Sequence, residues 1–273
     1  GVTVRARTPG GDETYSGRYV VDASGQGRLF ARRMKTVEPL HGFGKAAVFT
    51  HFEGLSDDAM EAIGEGNDIR IMMHDQGWVW MIPLAGRRLS LGMVSQKRGI
   101  CEEWLDAYVA DSPTAQRWTA GATRGQTRML SNFSFRNTDP YGARYACVGD
   151  AACFLDPVFS SGVTLAMQGA RQLVDHLAPA LERGDEGDAD LLAALKVEME
   201  RAYETFAAFI HRFYNRRIVE NLFFGAPPSG HMRSAVISVL AGDVWRNDNP
   251  FQEMLLRSRQ QPWGKPQDAS ADA

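Results

Sequence analysis

The residues best placed to do chemistry lie in one run, Tyr145 to Ala170, YACVGDAACFLDPVFSSGVTLAMQGA. Tyr145 to Val148 is a short apolar strand stopped by Gly149, and Asp150 falls at its end. A carboxylate there can accept hydrogen bonds from sugar-type hydroxyls. Ala151 to Asp156 is a crossing segment, Pro157 fixes a turn, and Ser160-Ser161-Gly162 opens a helix. The first turn of a helix has unpaired N–H groups and the positive end of its dipole. Gly162 has no side chain to hold a ligand off those amides. Nothing basic lies between Asp150 and Ala170, so the backbone must supply any positive potential. By residue type alone this is a site for an anionic or electron-rich ligand, or else a Ser-capped core helix after a buried strand.

Two further stretches stand out. Tyr15 to Val21 forms a strand that runs into Asp22-Ala23-Ser24-Gly25-Gln26-Gly27, a glycine-rich loop. Gly77 to Pro83, GWVWMIP, places Trp78 and Trp80 two apart, on one face of a strand, and Pro83 should end its pairing. Taken singly, these are a plain loop and two core aromatics. An indole N–H only donates, so the tryptophans could shape a site but not do acid–base work. The six histidines show neither HxxxH nor HExxH spacing, and no metal is expected.

Together the three stretches resemble a known family. GDAACFLDPVFSSGV is similar to the second flavin motif of the FAD-dependent monooxygenase superfamily, and more closely to that of its flavin-dependent halogenase branch. YVVDASGQG resembles the strand-end signature of the same class, and WVWMIP matches the WxWxIP signature of the halogenases. The resemblance runs from Gly1 to about Phe251. It implies an FAD site at Asp22, Ala23, Ser24, Gly25, Gly149, Asp150, Pro157, Ser160, Ser161, Gly162 and Val163, with Asp150 on the ribityl chain. It places a halide, chloride or bromide, at the amides of Ser161 and Gly162. Trp78 and Trp80 become bulky groups that keep organic substrate away from the flavin.

The implied reaction uses reduced FAD (FADH2), delivered by a separate flavin reductase, and O2 to oxidise the halide. The product halogenates an electron-rich aromatic, phenolic or pyrrolic, free or carrier-tethered, in secondary metabolism such as antibiotic biosynthesis. Rival readings are an FAD-dependent monooxygenase, a geranylgeranyl-reductase-like flavoprotein, or a catalytically inactive fragment. No strand–GxGxxG–helix unit is present, since Gly25-Gln26-Gly27 leads into Arg28-Leu29-Phe30. The ADP-binding part and the family's essential lysine are therefore expected to precede Gly1. Lys45 does not match that lysine's motif and is expected to be exposed at a strand start.

The elements that must hold these groups suggest a mixed α/β fold, an incomplete three-layer FAD-binding flavoprotein. Residues 1–35 and 131–182 would be the remaining FAD-binding part, and 36–130 a β-sheet substrate domain. Residues 183–260 would be a C-terminal helical region and 261–273 a disordered tail. Val2, Val4 and Ala6 alternate with polar residues to start a hairpin, and Ala46 to Phe52 and Leu89 to Val94 are strands. Ser56 should cap a short helix, and Glu102 to Val109 is another. Thr119 to Thr127 is expected as a loop and Ser131 to Asn137 as one strand. After Gly162 the apolar positions 163, 166, 170, 173, 174, 177 and 181 define a helical face, which Pro179 should end or kink. Leu192 to Phe213 is a longer helix with an aromatic face. That face either packs on the sheet domain or on its neighbour or, at Phe209 to Tyr214, lines a substrate tunnel.

The chain is 44% hydrophobic and 23% charged over 273 residues, ordinary for a soluble protein with a sizeable core. A net charge of -3 shows no nucleic-acid or membrane footprint. There is no signal peptide and no bilayer-spanning run. Three cysteines without a CxxC fit reduced thiols in a cytoplasm, with Cys147 and Cys153 as packing residues.

Overall fold

A computed structural model describes residues 1–257 apart from 67, 76, 98, 217–219, 221–229 and 247. It divides into two compact units, one of residues 44–133 and one of residues 1–43 with 134–273. Residues 221–229, with Pro227-Pro228, and residues from 258 on, which include the expected tail 261–273, lie outside the described residues.

The 44–133 unit is built on one antiparallel sheet. Its strand order is Arg128–Ser131, Ala46–Glu53, Arg88–Ser95, Gly77–Leu84, Arg70–His74, with Thr123–Arg124 also pairing to Ala46–Glu53. One face of this sheet is apolar by alternation except at Thr50: Val48 and Phe52, Leu89, Leu91 and Met93, Val79 and Met81 are all buried. Against it pack the helices Asp57–Ile63, Glu102–Asp111 and Pro113–Thr119, through residues such as Ile63, Leu105, Tyr108 and Trp118. Ser56 caps the first of these as expected, its Oγ accepting from the Ala59 amide at 3.2 Å. Lys45 is exposed just before its strand.

The other unit opens with an antiparallel hairpin, Val2–Thr8 with Gly11–Gly17. The returning strand was expected to continue to Val21. Instead it stops at Gly17, and Val20–Asp22 pairs in parallel with Tyr145–Cys147. Tyr19 turns its hydroxyl onto the Tyr145 carbonyl at 2.9 Å, which fixes this change of partner. Tyr141–Gly142 completes that three-stranded sheet, and Cys153–Phe154, Phe135–Asn137 and Val37–Pro39 form another. Because Val37–Pro39 pairs with Phe135–Asn137, the sheet unit starts at residue 44 rather than 36. The run from 131 to 137 is likewise not one strand. Arg128–Ser131 pairs in one unit and Phe135–Asn137 in the other, with Asn132 at φ 52 breaking the line between them.

Two long helices follow, Gly162–Arg183 and Ala193–Tyr214. The first differs from expectation in phase. Its buried side is Leu165, Gly169, Leu173, Leu177 and Ala180, while Val163 and Val174 are exposed. Gly169 sets that phase, since a Cβ there would lie 3.2 Å from the Met199 methyl of the second helix. Pro179 does not end the helix. One proline removes a single donor, and the helix closes at Gly184 with φ 85. In the second helix Leu195, Met199, Tyr203, Phe206, Ile210 and Phe213 are buried as the spacing required. Gly230–Leu240 and Pro250–Arg257 are helical, the latter headed by Asn249, whose Oδ1 accepts from the Phe251 amide at 3.1 Å. No helix among the described residues is long and apolar enough to cross a membrane.

Candidate functional site

Three of the segments singled out in the sequence come together within one unit. The turn Gly149–Ala151 contacts both the turn Gly25–Gly27 and the start of the Gly162–Arg183 helix. Parallel pairing of Val20–Asp22 with Tyr145–Cys147 brings the two loops side by side, since both leave the same end of the sheet. The Val148 amide donates to the Asp22 carbonyl at 3.0 Å and continues the ladder into the loop. Gly149 has φ 56, and a Cβ on it would meet the Ala166 Cβ at 3.1 Å. Only glycine gives both the backbone and the close approach to the helix.

Asp22 is buried, and its carboxylate holds the loop together. Oδ1 accepts from the Ser24 amide at 2.9 Å and Oδ2 from the Phe30 amide at 2.8 Å. Ser24 Oγ accepts from the Leu29 amide at 3.0 Å. Gly25 adopts φ 58, and Arg28 lies over the Phe135 ring at 4.5 Å. Within this framed loop the Gln26 amide nitrogen is buried with no hydrogen-bond partner among the described residues. A buried donor left unsatisfied costs free energy unless something else accepts from it.

Asp150 is half-buried at the start of its turn, and burial raises its carboxyl above the ordinary range. Pro157 opens the turn Pro157–Phe159, which Asp156 caps by accepting from the Val158 amide at 3.1 Å. Ser160 takes φ 52 to leave that turn. Ser161 is buried and sits at the helix N-cap, yet its hydroxyl makes no capping bond. Gly162 is exposed, with open space where a Cβ would be, and Val163 is exposed beside it. Gly162 thus adds no side chain to the first turn of this 22-residue helix, whose leading amides have no partner within the helix. Cys147 and Cys153 are buried beneath the loops, and burial pushes the Cys147 thiol up to about 12. These are packing thiols, without thiolate character.

What braces the Pro157–Phe159 turn has no local signature in the chain. Tyr214 donates from its hydroxyl to Asp156 Oδ2 at 2.8 Å, across 58 residues. Phe159 stacks on Phe209 with ring centroids 4.5 Å apart and meets Phe213 at 5.7 Å. Phe209, Ile210 and Phe213 are buried. These residues pack on the loop through Phe159. Partners so far apart in the chain have no spacing to betray them.

Trp78 and Trp80 belong to the other unit. They share a sheet face, ring centroids 5.8 Å apart, with Trp78 2% exposed and Trp80 partly so. Pro83 does not end their strand's pairing, which runs through Pro83 opposite Leu89 to Leu84 opposite Arg88.

A mixed α/β flavoprotein architecture, in which two glycine-bearing turns meet the start of a long helix, is the class these features define. The family model of the tryptophan halogenases matches residues 3–225, and the chain belongs to that family. Among curated relatives, the flavin-dependent halogenase gsfI of Penicillium aethiopicum is 29% identical over 212 residues, covering 72% of this chain and 40% of the relative. A 1H-pyrrole-2-carbonyl peptidyl-carrier protein chlorinase of Pseudomonas fluorescens is 25% identical over 238 residues, covering 84% and 52%. The chain therefore spans about half the length of the curated relatives it matches. Among solved structures, a flavoprotein/dehydrogenase from Cytophaga hutchinsonii superposes with a TM-score of 0.79 at 26% identity, covering 93% of this chain and 63% of that one. A flavin-dependent brominase superposes at 0.72 with 25% identity, covering 92% and 65%.

Proposed function

We propose that this chain carries the halide-binding part of an FAD-dependent halogenase, which uses chloride or bromide to halogenate an electron-rich aromatic substrate. The observation that carries this reading is the uncovered helix start at Ser161-Gly162, held against the Asp150 turn by Gly149 and Ala166. Two features of the chain fit an FAD beside it. The buried Gln26 amide needs an acceptor, and the open space at Gly162 leaves the backbone amides free for an electron-rich edge or an anion. Asp150 would hold sugar-type hydroxyls, and Gly149, Pro157, Ser160 and Val163 would set the path of the backbone around the cofactor. Asp22, Ala23, Ser24 and Gly25 would form the neighbouring wall, with Asp22 rigidifying it. When bound, reduced FAD with O2 supplies the oxidising power. The helix terminus supplies the place for the anion, worth about 1–2 kcal/mol in a partly buried setting, so halide binding should be weak. Trp78 and Trp80 would keep organic substrate away from the flavin.

The matched pyrrole-carrier-protein chlorinase supports a carrier-tethered pyrrole as one substrate form. A separate flavin reductase would deliver FADH2. Three cysteines with no disulfide among them fit a reducing cytoplasm. The test is mass spectrometry of products formed with reduced FAD, O2, bromide and phenolic or pyrrolic substrates. A bromine isotope doublet supports the halogenase. A product one oxygen heavier with no bromine supports a monooxygenase. A flavin that keeps its free fluorescence when titrated with the chain shows that this chain alone does not hold FAD.

A further inference from the structure

Gly92 occupies the middle of the Arg88–Ser95 strand, between two neighbouring strands, where glycine weakens a sheet and has nothing to pack. Its backbone does not require glycine, since it is absent from the positive-φ positions. Space does. Directly opposite it stand Trp80 on one side and Phe49 on the other. Strands two places apart are separated by roughly 9–10 Å, yet the Trp80 and Phe49 ring centroids are 5.9 Å apart. The two rings lean toward each other over the glycine. A Cβ on Gly92 would lie within 2.5 Å of both the Trp80 Cη2 and the Phe49 Cβ. The indole is fixed at its other end as well. Trp80 Nε1 donates to Ser90 Oγ at 3.0 Å, and Ser90 is buried two residues along the strand from Gly92.

We propose that Gly92 and Ser90 are positioning residues for Trp80: the glycine opens the trough in which the indole lies, and the serine hydroxyl sets the direction of its ring. This deepens the proposed function and rests on it, because a wall that keeps organic substrate from the flavin works only if its indole is held in one orientation. Trp80 can rotate about two side-chain torsions. The strand opposite removes that freedom with one missing side chain and one hydrogen bond. The pair is thereby a specificity determinant of the same reaction, acting through Trp80 and touching neither halide nor cofactor.

The test uses the full chain labelled at its indole nitrogens, with the Trp80 resonance assigned by Trp80→Phe. Ser90→Ala should speed exchange of the Trp80 indole proton by about three- to tenfold, the range expected for one lost hydrogen bond. Brominated product per peroxide released, measured with reduced FAD, O2 and bromide, should fall by a similar factor. Ser90→Thr, which keeps the hydroxyl, should restore both. Gly92→Ala should move the Trp80 resonance further and lower the product ratio more. Unchanged exchange in Ser90→Ala overturns the contact itself. Altered exchange with an unchanged product ratio overturns the positioning role. A parent protein that gives no brominated product overturns the reading beneath the proposal, while the indole measurement still stands separately.

Discussion

Gly92 and Gly162 lack a Cβ for opposite reasons, and each characterises its unit. Around Gly92 the space is filled by the protein's own rings, and a methyl group would collide with Trp80 and Phe49. Around Gly162 there is nothing within 4 Å of where a methyl group would be. In the sheet unit a conspicuous motif is made of packed side chains, and its function must come from their shape. In the other unit the motif opens a helix on a residue with no side chain, and what it offers there is backbone N–H groups. The same residue type serves packing in one place and access in the other, and only the surroundings tell them apart. A substitution at Gly92 should register in the fold, whereas one at Gly162 should register in what the protein binds.

The largest expected effect tests the footing of the open site. The helix that begins at Gly162 is held by Leu165 and Leu173, 5% and 4% exposed, while Val163 at the same end is 71% exposed. Leu165→Ala or Leu173→Ala should cost about 2–5 kcal/mol of unfolding free energy in urea titration. Val163→Ala should stay within about 0.5 kcal/mol. Were Val163→Ala as costly as Leu165→Ala, the phase of the helix would be wrong and Gly162 would not face open space.

The next effect is on binding. Gly162→Val puts a branched side chain into the open space over the helix amides. Losing the ~1–2 kcal/mol of a helix-terminal anion site corresponds to about a 5- to 30-fold rise in the bromide concentration needed for half-maximal turnover. The unfolding midpoint should hold, because a Cβ at this position meets no neighbour. Normal halide dependence in Gly162→Val would remove the halide assignment. Tyr214→Phe sharpens the same point from beneath. It deletes the hydroxyl that holds Asp156, and should cost about 1 kcal/mol of stability while shifting halide dependence less than Gly162→Val.

The contrast between the two glycines also explains what the sequence could and could not reveal. Motifs contiguous in the chain were legible, since Asp22-Ala23-Ser24-Gly25, Gly149-Asp150 and Ser161-Gly162 each carry their turn chemistry in neighbouring residues. Strong periodicity was legible too, as at Leu195, Met199, Phe206 and Ile210. The phase of the Gly162–Arg183 helix was not, because an exposed apolar residue such as Val163, 71% exposed, looks the same as a buried one in a pattern. The Arg70–His74 edge strand was missed because RIMMH does not alternate cleanly. The helix Pro113–Thr119 did have a local signal, Ser112 before Pro113, with Ser112 Oγ accepting from the Ala115 amide. Gly92 was invisible for a different reason. Its meaning depends on Trp80 and Phe49, which reach it only through strand register.

The smallest expected effect concerns how the open site is anchored from its far end. Glu186 follows the Gly162–Arg183 helix and receives hydrogen bonds from both Arg18 and Arg144. Those arginines lie just before Val20–Asp22 and Tyr145–Cys147, so one carboxylate ties together the starts of the two parallel strands whose far ends carry Asp22 and Gly149. The hydrogen bonds from Arg18 and then Arg144 hold the Glu186 carboxyl down, at about 2. A carboxyl lowered in the folded state stabilises it fully above the ordinary range near 4.5, and that stabilisation is lost as pH falls toward about 2. Glu186→Gln should therefore lower the urea midpoint at pH 6 and flatten the loss of stability between roughly pH 4.5 and 2. The drop should be modest, because the Arg18 side chain is 55% exposed and solvent screens it. Halide dependence should not move, since Glu186 braces the beginnings of the strands and not the loops at their ends. A variant whose stability is unchanged at pH 6 would show that the strand pairing and the Tyr19 bond to the Tyr145 carbonyl hold this register without the carboxylate.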